Sequence, residues 1–200
     1  MTATFWNERF SQDTYVYGEA PNTFVADQAH LLPSGSRVLS LGEGEGRNAT
    51  YLAAQGAVVT ALDSSAAGFE KLRRLAEQRG VAVEAILGDV TTHDLGTERW
   101  DAILNIYCHL PSSARGPLYE AIRRALKPGG LFMTEQFSPE QLAYQSGGPK
   151  DPDMLMTLAE LSSAFEGWEV LVAREEVIHL DEGPFHQGAA AVTRFIARKP

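Results

Sequence analysis

Residues 39–48 read LSLGEGEGRN: Gly42, Gly44 and Gly46 alternate with Glu43 and Glu45 directly after an apolar run. Glycine reaches φ values closed to other residues and, lacking Cβ, lets a ligand lie against the main chain. A dinucleotide loop needs G-x-G-x-x-G, with amides and a helix N-terminus free to face a pyrophosphate. Here the third glycine comes one place early, Arg47 takes the last glycine's slot, and two carboxylates flank Gly44. Carboxylates repel a phosphate and attract a cation. The loop therefore predicts a ligand carrying positive charge.

Asp63 closes the next apolar run, roughly 20 residues after the loop, where an acidic side chain accepts from both ribose hydroxyls and repels a 2′-phosphate. Asp89 closes a third run, with a turn or helix-cap aspartate as the other reading. Asn105 closes a fourth, either as a ligand contact or as a polar strand end. The stretch NIYCHLP that begins there holds Tyr107 and His109, candidates to shape a pocket or accept a proton, against ordinary packing. Cys108 reads as a small core residue.

The elements that position these residues follow from periodicity. From Arg37 onward, β-rich runs alternate with helical patterns, the mark of βαβ units and a mainly parallel sheet with right-handed crossovers. RVLSL is strand one, RNATYLAAQG a helix closed by Gly56, and AVVTALD strand two. A helix capped by Ser64 or Ser65 buries Phe69, Leu72, Leu75 and Ala76 and stops at Gly80. VAVEAILGD, WDAILNIY and LFMTEQF are strands three to five. The helix between the last two is expected to end at Pro128-Gly129-Gly130. A helix over about 155–165 precedes two strands, WEVLVAREEVIHL and GAAAVTRFIARK, read as an antiparallel hairpin. Residues 1 to about 35 are expected to form a helix and loops over one end of the sheet. The fold expected is α/β: a Rossmann-like, doubly wound, mostly parallel seven-stranded sheet in a single domain, with a 1–35 cap and a 36–200 core.

Composition narrows the partners. The 200 residues hold 17 Lys and Arg against 26 Asp and Glu, a net charge of −9. A nucleic-acid backbone or anionic membrane is repelled on average, so neither is an expected partner. One cysteine excludes an intrachain disulfide and multi-thiolate metal cages, and no metal is expected. The N-terminal stretch lacks the basic start and apolar run of a secretion signal, and no segment reaches membrane length. A cytoplasmic protein acting on a small molecule is the expectation.

Taken together, GEGEGRN, the strand-end ALD, GDV at 88–90, WDAILNIYCHLP, LKPGG and the tail DEGPFHQG resemble class I S-adenosylmethionine (SAM) dependent methyltransferases, in the tellurite-resistance-like, small-molecule branch. The resemblance covers nearly the whole chain. It implies SAM as cofactor, held by Gly42, Glu43, Gly44, Gly46, Asn48, Asp63 and Ser64. It further implies that Asp89 accepts from the adenine amino group, Val90 packs on the ring and Asn105 meets the methionine end. Tyr17 and Asn22 would belong to an N-terminal lid, and His186 to the substrate side with Tyr107 and His109. The chain departs from many relatives in carrying Ser40 two places before the first glycine, where they have an acidic residue. Others have cysteine at the place of Glu43. The acceptor implied is a metalloid oxyanion, a thiol or a small metabolite. Two other readings use the same sheet: a SAM-binding module without catalysis, and an NAD-dependent oxidoreductase, which lacks a glycine and a hydride site.

Overall fold

A computed structural model of the chain describes residues 2–200. Its seven strands form a mixed sheet in the order β3-β2-β1-β4-β5-β7-β6, and the chain divides into two compact units.

The first unit runs to His93 and takes in Glu182–Phe185. It holds α1 (Ala3–Phe10), α2 (Thr23–Gln28), β1 (Arg37–Leu41), α3 (Arg47–Ala54), β2 (Val58–Asp63), α4 (Ala66–Arg79) and β3 (Val83–Leu87). The three strands are parallel, with Leu39 opposite Thr60 and Ala61 opposite Ala85. Helix α4 begins where Ser65 accepts from the Gly68 amide, and ends at Gly80 in the left-handed conformation. Those two signals bracket the segment because each supplies partners for terminal backbone groups that a helix cannot pair internally. Phe69, Leu72, Leu75 and Ala76 are buried, as their 3–4 spacing predicts.

The second unit spans Asp94–Asp181 and His186–Pro200. It contains β4 (Trp100–Ile106), α5 (Ser112–Ala125), β5 (Leu126–Phe137), α6 (Leu158–Ala164), β6 (Glu169–Asp181) and β7 (Gln187–Arg198). Strands β4 and β5 are parallel, whereas β7 is antiparallel to both β5 and β6.

Two boundaries differ from expectation. Helix α5 stops at Ala125, and β5 already begins at Leu126, so the Pro-Gly-Gly stretch lies inside the strand. Leu126 is extended (φ −74°, ψ 139°), and Lys127 precedes a proline, which disfavours helical geometry. The register jumps there: Trp100 faces Leu126 but Ala102 faces Leu131. Helix α6 starts at Leu158, because Thr157 caps it by accepting from the Glu160 amide. The T-x-x-E pattern that signals such a cap is present in the sequence.

Candidate functional site

The first unit carries the glycine loop between β1 and α3. All three glycines have positive φ, 62° at Gly42 and Gly44 and 92° at Gly46. Close packing makes two of them obligatory. A Cβ on Gly44 would stand 2.9 Å from Cζ of Phe10, and one on Gly46 would stand 2.6 Å from Cγ of Leu72. The small residues thus admit α1 and α4 to the loop, a role that the ligand-centred reading of the glycines did not include.

Both loop carboxylates have partners inside the protein. One oxygen of Glu43 accepts the amides of Asn48 (3.0 Å) and Ala49 (2.9 Å), while the other takes the Ser40 hydroxyl. Glu43 therefore supplies the capping acceptor that the N-cap residue, Gly46, lacks, and its negative charge meets the positive end of the α3 dipole. Burial pushes its carboxyl above the usual range, against the lowering effect of those hydrogen bonds. Glu45 accepts from Lys71 Nζ (2.6 Å) and from the amides of Val16 (2.8 Å) and Tyr17 (3.4 Å). It ties the N-terminal segment to the loop, and burial again raises its carboxyl. The protein partners of these two charges are main-chain amides, Ser40 and Lys71, which the ligand-centred reading of the loop did not include.

Asp63 ends β2 and is buried, with one oxygen on the Gly44 amide (2.9 Å) and the other on the Ser65 amide (2.8 Å). Burial raises its carboxyl more than these amides lower it. A carboxylate has about four acceptor positions, so capacity for ribose hydroxyls remains. Ser64, beside it, is half-buried. Asn48 is buried, and its Oδ1 accepts the Asn22 amide (2.9 Å). Asn22 in turn caps α2 and donates to Glu182 (3.1 Å). Arg47 pairs with the same Glu182 (2.9 Å). Tyr17 accepts from Arg9 (3.0 Å) and meets Phe10 and Phe185 edge-on. Asp89 is exposed, with one carboxylate oxygen folded back onto the amide (2.8 Å) and hydroxyl (2.7 Å) of Thr91, while Val90 is half-buried. That is the turn geometry given as its second reading, and Thr91 holds the Asp89 carboxyl below its usual range.

The second unit carries the other candidates. Asn105 is buried, its carbonyl accepting from Thr134 (2.6 Å) and Gln136 (2.9 Å) and its Oδ1 from the same Gln136 (3.0 Å). Tyr107, just past β4, has a left-handed backbone (φ 53°). A non-glycine residue held there marks a place where the surroundings impose the conformation, and such places cluster at sites. Its ring stacks on Phe137 (4.6 Å between centroids) and meets His186 edge-on (4.8 Å). His109 stacks on the same Phe137 (5.4 Å, 15° between planes). Tyr107, His109 and His186 therefore converge on Phe137. Desolvation, and secondarily the neighbouring His186, lower the His109 imidazole to about 3. Cys108 is half-buried.

Sequence reasoning missed Phe137, Gln136, Phe10, Asn7 and Lys71. Asn7 accepts from the Ser65 hydroxyl (2.9 Å) and the Ala67 amide (3.1 Å), fixing α1 against the start of α4. Lys71 was legible, since it lies within the buried stripe of α4 at helical spacing from Gly68 and Leu75. Among the described residues, no group of three His, Cys, Asp or Glu is placed to hold a metal ion. Nor is any helix long and apolar enough to cross a membrane.

Residues 38–130, from β1 into β5, match the family described as a methyltransferase domain. Such a domain implies SAM as the methyl donor. Sterol 24-C-methyltransferase ERG6A of Gibberella zeae is 24% identical over 96% of this chain and 56% of its own. Two solved structures share the fold. One concerns the conversion of a disulfide bond into a thioacetal group during echinomycin biosynthesis, with TM-score 0.74, 22% identity, and coverage of 98% of this chain and 89% of that one. The other is TehB from Haemophilus influenzae, with TM-score 0.74, 19% identity, and coverage of 99% and 67%. The chain spans about half the length, or less, of the curated relatives it matches.

Proposed function

We propose that this protein binds SAM at the β1–α3 glycine loop and transfers its methyl group to a small-molecule acceptor in the cytoplasm. The observation that carries the reading is the buried Asp63 carboxylate, fixed by the Gly44 and Ser65 amides and so aimed before any ligand arrives. Preorganisation of this kind spares a ligand the cost of ordering its own site. In this reading Asp63 takes the ribose hydroxyls, and Gly42, Gly44 and Gly46 give the donor a main-chain surface. Ser64, Val90 and Asp89 serve the adenosine half. Asn48 and Glu43 act on the donor indirectly, by holding the loop, and Tyr17 belongs to the covering segment. The methionine end falls to Asn105, whose amide is locked by Gln136.

A bound sulfonium supplies an activated methyl group, and displacement neutralises charge, so the protein's share is alignment and exclusion of water. The acceptor's lone pair forms the new bond, and the electrons of the broken carbon–sulfur bond return to sulfur. Tyr107, His109 and His186 are the residues proposed to shape the acceptor's surroundings. The sterol named for one relative is likewise a small molecule. Calorimetry with S-adenosylhomocysteine is the direct test. Micromolar binding that weakens about 30-fold in Asp63→Ala, the worth of roughly 2 kcal/mol for charged hydrogen bonds, is expected. No heat at millimolar ligand would end the proposal.

A further inference from the structure

Tyr107, His109, Phe137 and His186 make a cluster within the second unit that packing alone does not explain. Phe137 belongs to a small apolar core with Leu155, Leu180, Ala190 and Val192, against which Tyr107 also packs. Into this surface the chain places two histidines, His109 with 9% and His186 with 4% of their surface exposed. Neither ring nitrogen of His109 meets a partner at hydrogen-bonding geometry. The Met154 main chain acts on the ring as a hydrogen-bond partner short of that geometry, and its effect is smaller than that of burial. A buried polar group left unmatched is costly, and the left-handed Tyr107 beside it adds backbone strain. Both features are what a site keeps for a ligand.

The charges around the cluster narrow that ligand. Arg115, which acts on His109, is held by Glu160 through two bonds (2.7 and 2.9 Å), and its remaining contacts are the carbonyls of Leu110, Asp153 and Leu155. Glu135, whose carbonyl accepts from Tyr107, is paired through its side chain with Arg194 (2.5 Å), which also holds Glu176 (2.7 Å). An anion would therefore meet guanidinium groups already neutralised, and a cation would meet carboxylates already paired. Either would lose its hydration without compensation.

We infer that the cluster binds the methyl acceptor, and that this acceptor is uncharged, with an apolar body on the aromatic faces and one hydroxyl or thiol hydrogen-bonded to His109. This deepens the methyl-transfer reading and rests on it. In the step, the acceptor's oxygen or sulfur bonds to the methyl carbon as the donor's carbon–sulfur bond breaks with its electrons going to sulfur, and the acceptor's proton is released to bulk solvent. His109 orients the X–H group and does not store the proton, because its imidazole is too weak a base in this setting. It is a substrate-binding residue here and not a general base. Metalloid oxyanions are excluded as acceptors at this cluster.

The test uses the full chain and four ligands built on one ring: benzyl mercaptan, benzoate, benzylammonium and toluene. The His109 imidazole is followed by ¹⁵N NMR and assigned by its loss in His109→Phe and His109→Gln. Benzyl mercaptan is expected to shift that resonance and to bind at least about tenfold more tightly than either ion. His109→Phe is expected to bind toluene normally and to lose the advantage of the thiol, with His109→Gln restoring part of it. Equal binding of benzoate or benzylammonium, an unmoved His109 resonance, or undiminished thiol binding in His109→Phe would overturn the inference. None of these readings needs the donor. Failure to bind S-adenosylhomocysteine would thus count against methyl transfer, while the ring titration still decides the chemistry of the pocket.

Discussion

Replacing Glu43 separates its capping role from any direct role in holding a ligand. In Glu43→Ala the amides of Asn48 and Ala49 lose their acceptor in a buried setting. At about 1–3 kcal/mol for each of the two stranded donors, the loss should be about 2–6 kcal/mol. Glu43→Gln keeps an oxygen for those amides and an amide group for Ser40, and should lose about 1 kcal/mol at most through the missing charge at the helix end. The pH dependence gives a second, independent reading. The folded carboxyl titrates above its usual 4.5 because burial penalises the charged form. Between the unfolded and folded values the native state holds the extra proton, so wild-type stability falls as pH rises through that window. The glutamine variant has no such proton, and its stability relative to wild type should climb from pH 4 upward. Urea unfolding at half-unit pH steps measures both effects. If Glu43→Ala unfolds within 0.5 kcal/mol of wild type (the spread of neutral surface changes is roughly this size), the capping argument fails. Parallel pH curves for wild type and Glu43→Gln would refute the assignment of the raised carboxyl.

Three further outcomes follow from the same geometry. Glu45→Gln or Lys71→Met alone leaves one member of a pair with 3% and 2% side-chain exposure unmatched, and should cost about 3–5 kcal/mol in chemical denaturation. The double variant should recover much of that loss, and strict additivity would argue against the pair. His109 carries a folded pKa of about 3 against an ordinary 6.5, so its contribution is complete above pH 6.5 and is lost as pH falls toward 3. The slope is at most about 1.4 kcal/mol per unit, and His109→Phe should unfold with a visibly flatter acid dependence than wild type. Gly46→Ala places a Cβ 2.6 Å from Leu72 at φ 92° and should lower the melting temperature by a cost above about 1 kcal/mol, with Gly80→Ala, open around its Cβ, as the milder left-handed control.

Much of the scaffold was legible because its signals are local. Ser65 and Gly80 bracket α4 from positions that any reader of caps would choose, and the apolar spacing between them names the buried face before the sheet is known. Asp63 was readable for the same reason: a strand end at a fixed distance from a glycine loop is a one-dimensional feature. The start of β5 was misread because helical periodicity through Leu126 competes with the restriction that Pro128 places on Lys127, and only the pairing of Leu126 with Trp100 decides between them. The roles of Glu43 and Glu45 were hidden for a different reason. Sequence gives the sign of a charge but not its partner, and the partners of Glu45 lie 26 and 29 residues away.

That difference changes the physical account of the loop. Two glutamates between three glycines look like a field aimed at a cation, yet a carboxylate bound to buried amides and a lysine has already exchanged its hydration for protein partners. Its charge is then largely cancelled locally and contributes little at a ligand's distance. The loop's acidity serves folding: Glu43 starts α3, and Glu45 fastens the N-terminal segment through Val16, Tyr17 and Lys71. Affinity for a sulfonium donor must accordingly come from shape and from Asp63, whose two oxygens hold amides yet retain acceptor capacity. Increasing ionic strength should therefore weaken donor binding only slightly, because screening acts on exposed fields and hardly on short buried contacts. A steep salt dependence of S-adenosylhomocysteine affinity would restore the loop glutamates as electrostatic contributors and contradict the internal pairing described above.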